Sequence, residues 1–400
     1  MAESLWANRA FVTLWAGQSV SEVGSAVSSI AIPLLAVTTL SASAFQVAVL
    51  TGLGGLAVLL GAGPAGYLAD RASWRVVLCV CDVGRVFLVG SIPVAAAAGW
   101  LHLSQIYVVA FAGNALTVIF GVVYHSYYPA LVQIGQLTDA NSKIATTESL
   151  ARVAGPALGG ALIGAVGAVR TVTVDALSYL ASVIAVLRIP ATAQPAKPRP
   201  ERGSRRVLSD GLDVIRSDAT LTRLVVSLLI GMFSLAMSSS IVVVYLVDNL
   251  HMSGVLVAVS VAIGEAGGCA AAITATTLTR RFGVARVLIA SSALTPVGYL
   301  LLAATPTSAM PLSTVVMAAS SARFVLFDIV QYSYRQAVCP PHRLGRLTAT
   351  IRLGAGAVTM SGALAAAACS LLWGTRGTLA VAATILCASA APLWTSSPRS

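Results

Sequence analysis

The amino-acid sequence predicts an all-α polytopic membrane protein with about twelve transmembrane helices in two pseudo-symmetric six-helix bundles. The first observation is composition, since 57% of the 400 residues are hydrophobic and only 10% are charged, whereas soluble domains carry about 25% charged residues. The second is a series of long apolar stretches. The third is a basic, proline-rich segment that divides the chain near its middle.

Each predicted membrane span is an apolar stretch of about 20 residues, the length that a bilayer requires. The spans of the first half are centred near Ser25, Gly55, Val89, Val118, Gly159 and Tyr179. Those of the second half are centred near Phe233, Gly264, Leu294, Ala319, Ala357 and Leu386. The first stretch is longer than the core of a signal peptide, so we expect it to be retained. Twelve spans would use about 240 residues, so no separate soluble domain is expected.

The two halves are joined by a predicted cytoplasmic linker. Residues 1–189 form the first half, residues 190–221 the linker and residues 222–400 the second half. The linker's prolines interrupt helices, and its arginines are suited to anionic lipid headgroups. Within it, Val207, Leu208, Leu212 and Ile215 recur at helical spacing and predict a short amphipathic helix on the cytoplasmic surface. The pattern fits an inert tether and a regulatory element equally well.

The formal net charge of +11 follows the pattern of a membrane protein, and nucleic acid is not an expected partner. Nearly all Lys and Arg residues, including Arg85, fall on one side of the predicted spans, and the other side holds only Arg170 and Arg376. By the positive-inside rule the basic side is cytoplasmic, so both termini are predicted to be cytoplasmic. Abundant alanine and the excess of arginine over lysine are typical of a GC-rich bacterial genome, and we expect a multi-pass protein of a bacterial inner (plasma) membrane.

A short charged turn separates the second and third predicted spans. It reads Gly66-Tyr67-Leu68-Ala69-Asp70-Arg71-Ala72-Ser73-Trp74-Arg75, and a weaker copy, residues 279–286, follows the eighth span. Gly66 would allow two helices to approach closely. Asp70 can accept charge-assisted hydrogen bonds from Arg71, Arg75 or a helix N-terminus. We therefore expect a conformational latch, and a basic loop that only sets topology is the alternative.

A glycine- and proline-rich motif lies in the fifth predicted span. Small residues at this spacing allow close helix packing, and proline removes one backbone hydrogen bond and favours a kink. A bending or sealing interface is therefore expected, with ordinary helix packing as the alternative. The residues concerned are Gly155, Pro156, Gly159 and Gly160.

Ionisable side chains inside the spans are candidates for function, because such a residue costs about 2.5–3.5 kcal/mol at the bilayer centre. Glu22 lies near the middle of span one, with Gln18 and Ser25 on the same helical face. Arg323 lies in span ten. The proton affinity of such a carboxylate changes with burial and with nearby charges, which predicts coupling to protons.

Three further acidic residues fall in or near the spans. Glu265 is central in span eight, and Asp328 lies five residues after Arg323. Asp175, in span six, is interpreted as structural. A permanent pair of Arg323 with Glu22 or Glu265 that only holds helices together is the alternative to proton coupling.

These motifs resemble those of the major facilitator superfamily, in particular its bacterial drug and siderophore (enterobactin exporter-like) efflux branch, over nearly the whole chain. The turn from Gly66 to Arg75 is similar to the superfamily's loop motif, with Ser73 at a usual glycine position. The Gly155–Gly160 motif is similar to that of antiporters, with Ala151 where glycine is common. Other segments similar to that branch are Asn8-Arg9-Ala10-Phe11, Trp15-Ala16-Gly17-Gln18, Asp175-Ala176-Leu177-Ser178-Tyr179 and Arg343-Leu344-Gly345-Arg346. The arginine of the proton-relay motif is absent from span four.

The resemblance implies two six-helix halves that rock around a cavity lined by spans one, four, seven and ten. It implies that Asp70 pairs with the start of span eleven near Arg346. It would also allow Glu22 and Arg323 to face each other, with Asn114 as a further hydrogen-bonding group in the pocket. A monomer is the expected working unit.

The expected function is secondary active transport, namely proton-coupled efflux of a small amphipathic compound, such as a drug or secondary metabolite, by alternating access. The alternatives are an importer or exchanger of a polar nutrient such as a sugar or amino acid, and a non-transporting membrane scaffold or sensor. The sequence lacks a nucleotide-binding P-loop, a Gly-x-Ser-x-Gly elbow and a metal-binding His or Cys set, so we expect neither an enzyme nor a cofactor or metal. The expected partners are a small-molecule substrate, protons and the lipid bilayer.

Overall fold

Long α-helices dominate the computed structural model, which describes residues 5–189, 204–283, 286, 295–301, 310–339 and 341–394. The helices of the first part of the chain are α1 Arg9–Thr38, α2 Ala44–Arg71, α3 Trp74–Ala97, α4 Leu103–Leu131, α5 Leu137–Val166 and α6 Ala168–Arg188. The later helices are α7 Ser204–Ser217, α8 Ala219–Val244, α9 Gly254–Phe282, α10 Met310–Val338, α11 Pro341–Ala388 and α12 Ala391–Trp394. Residues 295–301 are also helical.

Ten helices in the described part of the chain are long and apolar enough to cross a membrane. One of these candidates, Arg346–Ala388 in α11, is 43 residues long, and one crossing needs only about 20 residues. Gly374 breaks its helical geometry with a φ of 65°, and the predicted centres of spans eleven and twelve lie on either side of this break. The predicted centre of span nine, Leu294, lies outside the described residues. The count of twelve spans therefore stays a prediction.

The chain divides into two compact units. The first consists of Met1–Ser41 and Ala57–Glu201, and the second of Ala42–Leu56 and Arg202–Ser400. In the first unit, α1 packs against α5 and α6, and α3 packs against α4 and α6. In the second unit, α11 packs against α7 and α8, and α9 packs against α10. The polar side chains considered below lie on these packed helices.

An aromatic cluster forms part of the first unit's core. The indole ring of Trp74, at the start of α3, stacks on the ring of Tyr127 in α4 with their centroids 3.5 Å apart. Asn8 caps α1, because its Oδ1 accepts from the Phe11 backbone N at 3.1 Å, and its Nδ2 donates to the Leu131 carbonyl at 2.6 Å. These contacts fix the ends of α1, α3 and α4 against one another.

The predicted amphipathic linker helix is present as α7, and its buried side faces protein. Val214 and Ile215 are buried in the second unit's core. A Cβ added at Gly211 would lie 2.0 Å from Thr350 Oγ1 on α11, so the two helices are in close contact there. Leu212 is exposed, whereas the side chains of Val207 and Leu208 lie outside the described set.

Candidate functional site

A buried ion pair joins Asp82 and Arg85 on α3. The two residues are one helical turn apart and therefore share a face, and the Arg85 guanidinium donates to Asp82 Oδ1. The guanidinium carbon lies 4.5 Å from the ring centroids of Phe120 on α4 and Tyr179 on α6, within cation–π range. Arg85, counted above among the basic residues of the cytoplasmic side, is only 3% exposed and lies inside α3.

A second buried carboxylate, that of Asp175 on α6, lies in the same region and is 2% exposed. It accepts long hydrogen bonds of 3.4 Å from Ser25 Oγ on α1 and from Ser178 Oγ. Ser25 Oγ also lies 2.9 Å from the Tyr179 hydroxyl. A Cβ added at Gly24 would lie 2.1 Å from Ser178 Oγ, so the glycine permits the close approach of α1 and α6.

We call Asp82, Arg85 and Asp175, with the hydroxyls of Ser25 and Tyr179, the charge network. With both carboxylates ionised its formal charge is −1, and a single bound proton makes it neutral. Because unbalanced charge is costly inside a membrane, the network is chemically suited to take up and release one proton.

Glu22 lies on α1, near one end of the charge network. Gln18 Nε2 donates to Glu22 Oε1 at 2.8 Å, so these two side chains lie on the same face of α1, as their spacing predicts. Glu148 and Arg152 on α5, together with Arg85, are the charged groups that act on Glu22. Ser25, predicted to share the Glu22 site, makes its hydrogen bonds within the charge network.

The remaining polar candidates lie on α4, α9 and α10. Asn114 Nδ2 donates to the Ala110 carbonyl of its own helix at 2.7 Å, and its side chain is exposed. Asp328 Oδ1 accepts from Gln331 Nε2 at 2.7 Å. Glu265 is half-buried on α9. The pocket roles of all three stay predictions.

Arg323 lies on α10 in the second unit and is 6% exposed. Its Nη2 donates to Ser389 Oγ at 2.7 Å, just beyond the end of α11. A small cavity of about 10 Å³ adjoins the guanidinium, with Tyr299 and Ser320 in its wall. The structure thus places Arg323 beside a small cavity of its own unit, whose lining also includes Leu235, Phe324 and Leu386.

The predicted latch is described only in part. Arg71 Nη1 donates to the Tyr67 hydroxyl at 3.1 Å, and Arg75 Nη2 donates to the Leu187 carbonyl, which ties α3 to the end of α6. The side chain of Asp70 lies outside the described set, so its pairing with the helix that carries Arg346 stays a prediction.

The packing role predicted for Gly66 is not seen among the described residues and stays a prediction. A Cβ added there would meet no described atom within 4 Å. On the same helix, a Cβ at Gly55 would lie 2.7 Å from the Met360 backbone nitrogen on α11. The close approach of α2 to another helix therefore occurs at Gly55.

The motif in α5 lies at a tight helix–helix contact. A Cβ added at Gly155 would lie 2.3 Å from Ala26 Cβ on α1, and one at Gly159 would lie 2.9 Å from Ile30 Cγ2. Pro156 lies inside the continuous helix α5, and Gly160 is buried there. Close packing at the motif is therefore observed, whereas a bending or sealing role stays a prediction.

Reasoning from the sequence missed the charge network's ion pair, although a signal was present. The spacing Asp82-x-x-Arg85 predicts a pair on one helical face, and both residues lie within the long apolar stretch of span three. Among the described residues, no group of three or more His, Cys, Asp or Glu side chains is placed to hold a metal ion.

Comparison with known proteins gives a match along almost the whole chain. A family model described as "Transmembrane secretion effector" matches residues 4–397. The uncharacterized MFS-type transporter YfiS of Bacillus subtilis (strain 168) is 24% identical over 220 residues, which cover 54% of this chain and 52% of that protein. The alignment thus spans about half the length of this curated relative.

Solved transporter structures share the fold. A crystal structure of a mutant nucleoside transporter NupG has a TM-score of 0.78 at 13% identity and covers 96% of this chain and 99% of its own. A bacterial homologue of the iron transporter ferroportin, in the inward-facing state, has a TM-score of 0.73 at 17% identity. The match covers 97% of this chain and 99% of that structure's chain. A bacterial homologue of the human lysosomal transporter Spinster has a TM-score of 0.69 at 16% identity. The match covers 97% of this chain and 96% of that structure's chain.

Proposed function

Because the chain belongs to the transmembrane secretion effector family of the major facilitator superfamily, we propose that it exports a small amphipathic compound in exchange for protons. The compound is a drug-like molecule or a secondary metabolite. Export proceeds by alternating access, and the working unit is a monomer in the inner (plasma) membrane of a bacterium. Family and fold are those of transporters, and the direction, cargo and coupling ion are our proposal.

The charge network is the observation that supports proton coupling. The Arg85 guanidinium pairs with Asp82 Oδ1 and acts on Asp175 through its charge, and Asp82 Oδ2 is buried. A proton bound at this oxygen or at Asp175 would balance the network's charge. Loss of that proton leaves an uncompensated negative charge inside the first unit, which favours a different arrangement of the surrounding helices. This provides a physical link between proton transfer and conformation.

An amphipathic cargo is supported by the scarcity of ionisable side chains. Only 10% of the residues are charged, and the described spans are dominated by apolar side chains. A binding site among such helices is mostly apolar with a few polar groups, which is the usual lining of a small-molecule site. Glu22 with Gln18 would supply such polar groups in the first unit.

The test is proton movement in energised inside-out vesicles, followed with a pH-gradient dye while candidate compounds are added. We expect a subset of amphipathic compounds to dissipate the gradient, and nucleosides, sugars and amino acids to have no effect. The variants Asp175→Asn and Glu22→Gln should reach the membrane in normal amount but lose this response. Each removes one titratable carboxylate while keeping its size.

Asp139→Asn is the matched control, because Asp139 is an exposed carboxylate that pairs with Lys143 at 3.5 Å near the start of α5. This variant should behave like the unaltered protein. Normal compound-driven proton movement in both Asp175→Asn and Glu22→Gln would contradict proton coupling through these residues. A response to nucleosides, sugars or amino acids alone would contradict the amphipathic cargo.

A further inference from the structure

The guanidinium of Arg323 has an incomplete set of hydrogen-bond acceptors. An arginine side chain carries five N–H donors, and in the structure Ser389 Oγ accepts one of them. Arg323 Nε is fully buried and has no hydrogen-bond partner among the described residues. A buried donor without an acceptor costs about 1–3 kcal/mol, and more when it is charged. An acceptor placed beside this guanidinium would therefore be stabilising.

The charge of Arg323 is likewise not balanced inside its own unit. None of the acidic side chains described in the second unit forms an ion pair with it. Ser389 lies at the end of α11, where a helix carries about −0.5 of an elementary charge. The helix end thus compensates only part of the positive charge, and charged groups buried in proteins are as a rule paired.

A small cavity adjoins the Arg323 side chain. Its volume is about 10 Å³, and its walls include Arg323, Ser238, Thr295, Tyr299 and Ser320. Cavities near this size hold about one water molecule. The hydroxyls of Ser238 and Ser320 donate to the carbonyls of Ser234 and Val316, so the guanidinium is the charged donor in the wall of this cavity.

We propose that this cavity binds a single monatomic anion of the halide type, with chloride as the natural occupant. A water molecule could accept hydrogen bonds there, but it would leave the charge of Arg323 unbalanced. A carboxylate has three heavy atoms and exceeds the space for one water-sized particle. The proposal does not depend on the proton-coupled export proposed above, because it concerns a different unit and a different ion.

The experiment is a chloride titration of the full-length protein, purified in detergent in a chloride-free gluconate buffer at constant ionic strength. Binding is measured from the line width of the ³⁵Cl NMR signal and from the rise in unfolding temperature that follows when a ligand binds the folded state. We expect a saturable response to chloride, competition by bromide and little competition by acetate. Arg323→Met should lose the response.

Arg352→Met is the matched control, because Arg352 is an exposed arginine on α11, and it should keep the response. Arg323→Lys serves if Arg323→Met fails to fold. It keeps the charge but loses the planar donor set, and we expect at least tenfold weaker chloride binding. Absence of a saturable response in the unaltered protein would mean that the cavity holds water only and would overturn the proposal. An equal response in the Arg323 variants, or acetate competing better than bromide, would also overturn it.

Discussion

At Arg85 a single guanidinium interacts with two carboxylates and two aromatic rings. We expect Arg85→Gln to destabilise the protein by about 3–5 kcal/mol, because removing one partner of a buried pair leaves the other charge uncompensated. The double variant Asp82→Asn with Arg85→Gln removes both charges and should be less destabilised than Arg85→Gln alone. Unfolding in mixed detergent micelles with increasing SDS measures both effects.

The control for this comparison is Arg188→Gln, since Arg188 is exposed at the end of α6 and its loss should change stability little. If the double variant is as unstable as Arg85→Gln, or less stable, charge balance is not what holds these residues together. The cation–π contacts with Phe120 and Tyr179 would then be the main contribution of Arg85.

The charge network also shows which part of a site a sequence can predict. The Asp82–Arg85 pair follows from helical spacing alone, so it was predictable once both residues were placed inside a span. The position of Asp175 beside this pair depends on how α6 packs against α1 and α3. Small residues such as Gly24 and Ser178 set that packing, and their spacing does not specify which neighbouring helix they contact.

At the scale of helices, two glycines are predicted to differ in how they tolerate a side chain. Gly155 lies at the α1–α5 contact, and Gly66 lies on α2. Gly155→Ala should destabilise the protein by about 1–3 kcal/mol, because its Cβ would overlap Ala26 and overpacking has a cost of this size. Gly66→Ala should be neutral or slightly stabilising, because no described atom lies near its Cβ and alanine favours a helix by about 1 kcal/mol over glycine.

The same unfolding measurement compares these two variants, with purified yield as a second readout. Both glycines lie within helices and neither has a positive φ, so backbone strain does not enter the comparison. Equal stability of the two variants would show that α1 and α5 separate readily at Ala26. A strong loss of stability in Gly66→Ala would support the packing role that the sequence predicted for Gly66.

The helix α7 marks another limit of prediction at this scale. Its periodicity correctly predicts an amphipathic helix, but an apolar face can be buried by lipid or by protein with similar favourable energy. In the structure the apolar face of α7 is buried by protein, because Gly211 allows α7 to contact α11 closely. A glycine on the buried side of a surface helix is a weak signal for such a protein contact.

For the whole molecule, composition and the long apolar stretches were sufficient to predict a polytopic helical membrane protein, whereas the major facilitator fold was implied by the resemblance of its motifs. They predict the individual spans well because length and apolarity alone define a span. The break at Gly374 inside α11 was harder to predict from the sequence, since glycine is common in membrane helices and seldom marks a break by itself.

The orientation of the whole molecule in the membrane is the last prediction. With both termini cytoplasmic, the loop between α3 and α4 is outside the cell and α7 is inside. Trp100 in this loop is 74% exposed, and Arg216 on α7 is exposed. In a cysteine-free version of the protein, Trp100→Cys should react with a membrane-impermeant maleimide added to intact cells. Arg216→Cys should react only in inside-out vesicles.

The physical reason is the distribution of basic residues, because arginines near the ends of spans resist translocation. Total labelling after detergent solubilisation is the control that both cysteines are reactive. Labelling of Arg216→Cys from outside, with Trp100→Cys protected, would show the opposite orientation in the membrane. Labelling of both cysteines from the same side would place an even number of crossings between them, where α4, α5 and α6 require three.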